Sequence, residues 1–192
     1  MAPRTTDPLG PLVGLPGVAD AVARARDALV RVHNHPVNRR GWPATAAEAG
    51  LRAAWASAAL DGAALHRTGH GRTAEGPGDD VVADPVLAGA VRVTEESGRL
   101  LAVWRSAPLQ ALARLHVLAA ADLATAPQLG RPRGGAAVSA RLALLADLVA
   151  GGTAAPAPVL VAVVHGELLA LAPFGSADGV VARAAARLTA LA

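Results

Sequence analysis

The sequence predicts an all-α protein, and three observations carry that expectation. Apolar residues recur at helical spacing through several segments, and Pro and Gly cluster between those segments. The hydrophobic fraction of 53% rests on Ala, Leu and Val, with only 2% aromatics, so the helices have small side chains and can approach one another closely. The chain shows no internal repeat, which favours a bundle over a solenoid. Its 192 residues fit one domain, with or without a small helical extension, and suffice to bury a core.

Residues 1–16 hold Pro3, Pro8, Pro11 and Pro16 with Gly10 and Gly14, and read as an irregular arm. An N-terminal helical extension is expected over 17–80. Within it Val18, Val22, Leu29 and Val32 recur near helical spacing, with Arg24, Asp27 and Arg31 between them, which predicts a helix over 17–32. Pro36, Gly41 and Pro43 are expected to break that helix over 33–43. Thr45, with Glu48 three residues on, fits a capping box opening a second helix that runs to about Leu60. Gly69, Gly71, Gly76, Pro77 and Gly78 make 67–80 the clearest loop of the chain.

A helical core is expected over 81–192. Helices are predicted near 85–105, 108–124, 136–150 and 179–191, separated by Pro/Gly stretches at 127–135 and 151–158. Residues 159–172 resist assignment. Their β-branched content and the His165-Gly166-Glu167 centre suit a β-hairpin as well as a helix, and local chemistry alone leaves the two even.

Composition narrows the function classes. The net charge of +3 and the absence of Lys mean that the high pI reports Arg titrating alone. A modest charge spread along the chain is not the clustered basic face of a nucleic-acid binder. Without Cys there are no disulfides, thiolate zinc sites or Cys nucleophiles, and an intracellular, cytoplasmic setting is the simpler expectation. Residues 1–10 have no apolar core segment of the kind a secretory signal needs. The longest uncharged apolar run, 151–164, contains Pro156 and Pro158 and falls short of the roughly 18 residues of a membrane span.

The segment that carries chemistry is Ala172-Pro-Phe-Gly-Ser-Ala-Asp-Gly-Val-Val-Ala-Arg183, which contains the only Phe. A loop with Gly175 and Gly179 that opens a helix can turn backbone N–H groups toward an anion, and Arg183 lies one turn in. Residues alone favour a plain turn over 175–178 in which Asp178 N-caps the last helix.

That segment resembles the Fic signature His-Pro-Phe-x-(Asp/Glu)-Gly-Asn-Gly-Arg-x-x-Arg without gaps, retaining Pro173, Phe174, Gly179 and Arg183. His165, seven residues before Ala172, falls where family members often carry a His on the helix leading into the motif, which assigns 159–171 to helix. A second resemblance lies in Ser57-Ala-Ala-Leu-Asp61-Gly62, similar to the inhibitory motif (Ser/Thr)-x-x-x-Glu-Gly of many Fic proteins, with Asp for Glu. The resemblance implies a Fic-like helical bundle with an inhibitory-type N-terminal helix. It further implies nucleotide-binding positions at Phe174, Gly175, Ser176, Asp178, Gly179 and Arg183, and ATP with magnesium as the ligand such a site takes.

The departures point away from family-type adenylylation. The general base becomes Ala172, which accepts no proton, a loss of about a hundredfold to ten-thousandfold in rate. The metal-binding acid becomes Ser176, a poor ligand for a hard cation. Asn becomes Asp178, and the first motif Arg becomes Val180. In the family the inhibitory carboxylate pairs with the second motif Arg, so an Asp61–Arg183 lock is expected here.

The leading expectation is therefore a catalytically silent protein that binds a nucleotide or a partner protein. One alternative is a nucleotide or phosphate-group transferase using non-standard residues. Another is a helical scaffold without a ligand, its pocket filled by the Asp61 helix. The remaining candidates weigh less. His66 and His70 share an i, i+4 spacing, but Gly69 and Gly71 argue against a helix and no acidic partner completes a metal site. His33 and His35 flank Asn34 in a loop, and Arg131-Pro-Arg133-Gly-Gly135, near the family's flap position, reads as a solvated loop. Neither a P-loop nor a Ser/His/Asp order of hydrolase type is present.

Overall fold

A computed structural model describes residues 6–63 and 84–192, without the side chains of Arg39 and Arg40. The 67–80 loop and His66 and His70 lie outside the described residues, and so does any account of how 17–80 joins 81–192. Among the described residues all regular structure is helical.

The N-terminal arm contains one short helix, α1 (Gly10–Val13). Asp7 organises it: its carboxylate accepts a hydrogen bond from Leu9 N–H at 2.8 Å and others from the Thr153 hydroxyl at 2.7 Å and Ala154 N–H at 2.5 Å. The arm is therefore tied to the 153–154 segment, a long-range contact that local Pro and Gly content cannot announce.

Helix α2 (Val18–Asn34) matches the expected segment. The break expected over 33–43 is much smaller than predicted, because α3 (Pro36–Leu60) begins immediately beyond His35. Pro36 is tolerated in the first turn, where its missing N–H has no helical partner anyway. Pro43 lies inside the helix, and the deviation it demands is concentrated at Gly41 (φ −119°, ψ 16°), which bends the helix without ending it. Thr45 and Glu48 thus sit inside α3 and cap nothing.

α3 stops in a Schellman arrangement. Gly62 takes the left-handed conformation (φ 84°), its N–H donates to the Ala59 carbonyl at 3.1 Å, and Ala63 N–H donates to the Ala58 carbonyl at 3.0 Å. Asp61 is the last residue before this stop, so its side chain is presented at the very end of the helix.

α4 (Pro85–Ser106) is capped by Asp84, whose Oδ1 accepts from Val86 N–H at 2.9 Å and Leu87 N–H at 3.2 Å. α5 (Pro108–Ala119) follows after Ala107 and ends earlier than the expected 124. α6 (Ala136–Asp147) passes into a π-helical turn, Leu148–Gly152, where Gly151 at φ 101° ends the α-helical geometry expected to run to 150. α7 (Ala157–Leu171) resolves the ambiguous segment as helix, and α8 (Asp178–Leu191) completes the bundle.

The core lies between α4 and α8, covered by α3, α5 and α7. Trp104 and Leu100 of α4 meet Leu112 and Leu115 of α5, Val164 and Leu168 of α7, and Val181, Ala185 and Leu188 of α8 in one buried cluster. Ala54 and Ala58 bring α3 into the same cluster. Small residues set the spacing: at Gly89, a Cβ would lie 2.9 Å from the Ala119 carbonyl carbon and overlap its oxygen, so α4 touches the α5 backbone directly. Gly89→Ala must push the two helices apart. It is expected to lower stability by about 1–3 kcal/mol, read as an earlier denaturant midpoint at unchanged slope.

Candidate functional site

The two motif-bearing segments, far apart in sequence, meet at the N-terminus of α8. Its first turn leaves backbone N–H groups without helical partners, a place that attracts negative charge. No side chain of its own caps it: the N-cap is Ala177, in the left-handed conformation at φ 51°. The expected Asp178 N-cap is thereby corrected. Asp178 is the first helical residue and turns backward, its Oδ1 accepting from Phe174 N–H at 2.9 Å and its Oδ2 from Gly175 N–H at 2.7 Å.

The capping carboxylate comes instead from α3. Asp61 Oδ2 accepts from Val180 N–H at 3.0 Å, and Asp61 Oδ1 lies 2.5 Å from the Arg183 guanidinium. Arg183 is held from a second side by Ser57: its Nε–H donates to the Ser57 hydroxyl at 2.7 Å and its Nη2 to the Ser57 carbonyl at 2.9 Å. The ion pair is mostly sheltered, with 23% of the Arg183 side chain and 19% of the Asp61 side chain exposed.

Gly179 owes its place to this approach. A Cβ there would overlap both carboxylate oxygens of Asp61, so a larger residue would expel the cap. Gly62 serves the same end indirectly by stopping α3 one residue after Asp61. Ser57, Asp61, Gly62, Gly179 and Arg183 are thus gathered into one constellation.

The other candidates face elsewhere. Phe174 is buried and stacks on His116, with ring centroids 4.1 Å apart and planes 5° from parallel. Ser176 Oγ lies 3.1 Å from His116 Nε2. The N–H groups of Phe174 and Gly175, which could have cradled an external anion, are taken by Asp178. Ala172 is left-handed at φ 42° and closes α7. His165 lies outside this set, its Nε2 buried without a hydrogen-bond partner. Among the described residues no group of three or more His, Asp or Glu side chains is arranged to hold a metal ion.

Sequence reasoning overlooked His116 and Gly130, and read Arg133 only as part of a solvated loop. His116 is fully buried on α5, and its Nδ1 accepts from Gly130 N–H at 2.9 Å. An acceptor at Nδ1 puts the proton of the neutral ring on Nε2, so His116 donates to Ser176 and does not serve as its base. A lone His in the apolar run of α5 was the available signal. The 131–135 segment is exposed as expected, yet Arg133 latches the motif loop. Its backbone N–H donates to the Pro173 carbonyl at 2.7 Å and its guanidinium to the Leu171 carbonyl at 2.8 Å. These bonds hold a loop with two left-handed alanines, a conformation that costs of order 1 kcal/mol per residue.

No family model, curated protein or solved structure matches the chain.

Two expectations follow from this geometry. Asp61→Ala leaves Arg183 and Val180 N–H uncompensated, a loss of about 2–4 kcal/mol. Gly179→Ala costs about 1–3 kcal/mol in the native background. In the Asp61→Ala background the carboxylate that the new Cβ would overlap is gone and the cost of the same change falls, a coupling that a double-mutant cycle of denaturation measurements reads directly.

Burial pushes the His116 imidazole below its ordinary value near 6.5, while the nearby Asp178 charge and the Ser176 backbone pull the other way without overcoming it. The unfolded chain therefore takes up a proton near pH 6.5 that the folded chain refuses until lower pH. Stability is full above that value and declines as pH falls below it. Unfolding curves from about pH 7.5, above the ordinary value, down to about pH 5, below it, should show this decline, with a smaller slope for His116→Phe.

Proposed function

We propose that this chain is a catalytically silent Fic-like protein that acts by binding, and that its nucleotide position is held shut by its own Asp61. The observation that carries this reading is the convergence of Val180 N–H and the Arg183 guanidinium on that one carboxylate. A phosphate group would seek the same donors at the same helix N-terminus, so Asp61 and a nucleotide compete for one position. Transfer chemistry by non-standard residues finds little support here, because Asp178 is turned onto backbone N–H groups and Ser176 onto His116.

A protein partner is the second reading, favoured by the apolar surface of α2 and α3. Leu29, Val30 and Val32 of α2 and Trp42, Leu51 and Trp55 of α3 are all exposed.

Calorimetric titration with ATP and magnesium distinguishes these readings. Asp61→Ala should bind nucleotide at least about tenfold more tightly than the native chain, since a competing charge is gone, and Arg183→Ala should abolish binding. Absence of heat at millimolar ATP in the native chain and in Asp61→Ala alike overturns the nucleotide reading and leaves the α2–α3 surface as the place to seek function.

A further inference from the structure

A cleft of about 300 Å³ opens between α3 and α4, apart from the Asp61 constellation. Ala46, Ala47, Leu51 and Ala54 form one wall and Val91 part of the other. Two charged side chains complete the lining, Arg187 from α8 and Glu95 from α4. Neither has a hydrogen-bond or ion-pair partner among the described residues, and they do not pair with each other across the cleft. Arg183, one turn earlier on α8, is committed to Asp61 and Ser57, so Arg187 is the cation this region offers to an outside molecule.

Gly50 also lines the cleft. A Cβ at that position would stand 3.7 Å and 3.9 Å from the Arg187 terminal nitrogens and 3.0 Å from the Thr94 methyl. A glycine in the interior of α3 costs about 1 kcal/mol of helix stability relative to alanine, and the close approach of the Thr94 methyl accounts for its place here. Thr94 adds no competing donor, because its hydroxyl is spent on the Ala90 carbonyl at 2.9 Å.

The charge pattern selects a ligand class. A simple anion on Arg187 meets Glu95, and a simple cation on Glu95 meets Arg187. A small molecule carrying both charges on an apolar body satisfies both, with its hydrocarbon against Leu51, Ala54 and Val91. The volume corresponds to roughly ten waters at about 30 Å³ each, the scale of a single amino acid. We propose that the α3–α4 cleft binds a free α-amino acid with an aliphatic side chain, its carboxylate on Arg187 and its ammonium group on Glu95. The site stands independently of any nucleotide at Arg183.

Titration calorimetry of the full chain with L-leucine, 4-methylpentanoate and L-leucinamide tests this. Saturable binding of L-leucine is expected, weakened at least about tenfold when either charge is removed from the ligand, and equally by Arg187→Gln or Glu95→Gln. Glu95 is exposed, so Glu95→Gln keeps the test informative even where Arg187→Gln perturbs folding, and thermal melting checks both. No heat with millimolar L-leucine overturns the proposal. So does 4-methylpentanoate binding as tightly as L-leucine, or binding that Glu95→Gln leaves unchanged, since each would reduce the site to a simple anion pocket.

Discussion

Arg183 sits close to the bundle interior with a charge that cannot be left alone, and most of the local architecture is arranged around meeting it. Desolvating a guanidinium without a partner costs several kcal/mol, so the chain must bring an anion and further acceptors to it. Asp61 and Ser57 do so from one helix, a single turn apart, which fixes both the rotation of α3 and its length. The Schellman stop at Gly62, the absent Cβ at Gly179 and the lack of a local cap on α8 are then consequences of one requirement. An N-cap supplied from 119 residues away makes the end of α3 and the start of α8 a single unit.

The motif loop is held by a different logic. Its backbone is unfavourable at Ala172 and Ala177, and only surrounding contacts keep it there. Asp178 grips two of its N–H groups, Arg133 two of its carbonyls, and the stack of His116 on Phe174 anchors its one large side chain. All of these attachments are made within the protein, which leaves few of the loop's polar groups to offer a ligand.

Much of the helical layout was legible from periodicity and from Pro/Gly punctuation, because those signals are local. Helices α2, α4 and α8 begin and end close to the expected residues, whereas α7 is helical where local chemistry leaves helix and hairpin even. The errors share a cause. Pro36 and Pro43 were read as breakers, but a first-turn proline breaks nothing and a single bent glycine absorbs the other. Asp178 looked like a cap because sequence cannot show that Asp61 already fills that role. At the site, Asp61 and Arg183 could be paired on motif resemblance. His116 and Arg133 could not, since their partners, Ser176, Gly130 and Pro173, are brought near only by the packing of α5 and of the 131–135 segment.

The sparse aromatic content gives the molecule an unusual optical character. With no Tyr and three Trp, its near-ultraviolet emission comes from indoles alone. Trp104 is fully enclosed, whereas Trp42 and Trp55 are open to water, and both of these lie on α3. A blue-shifted component therefore reports the bundle interior and a red-shifted one the helix that bears Asp61. Displacement of that helix would be visible by intrinsic fluorescence, with no label attached.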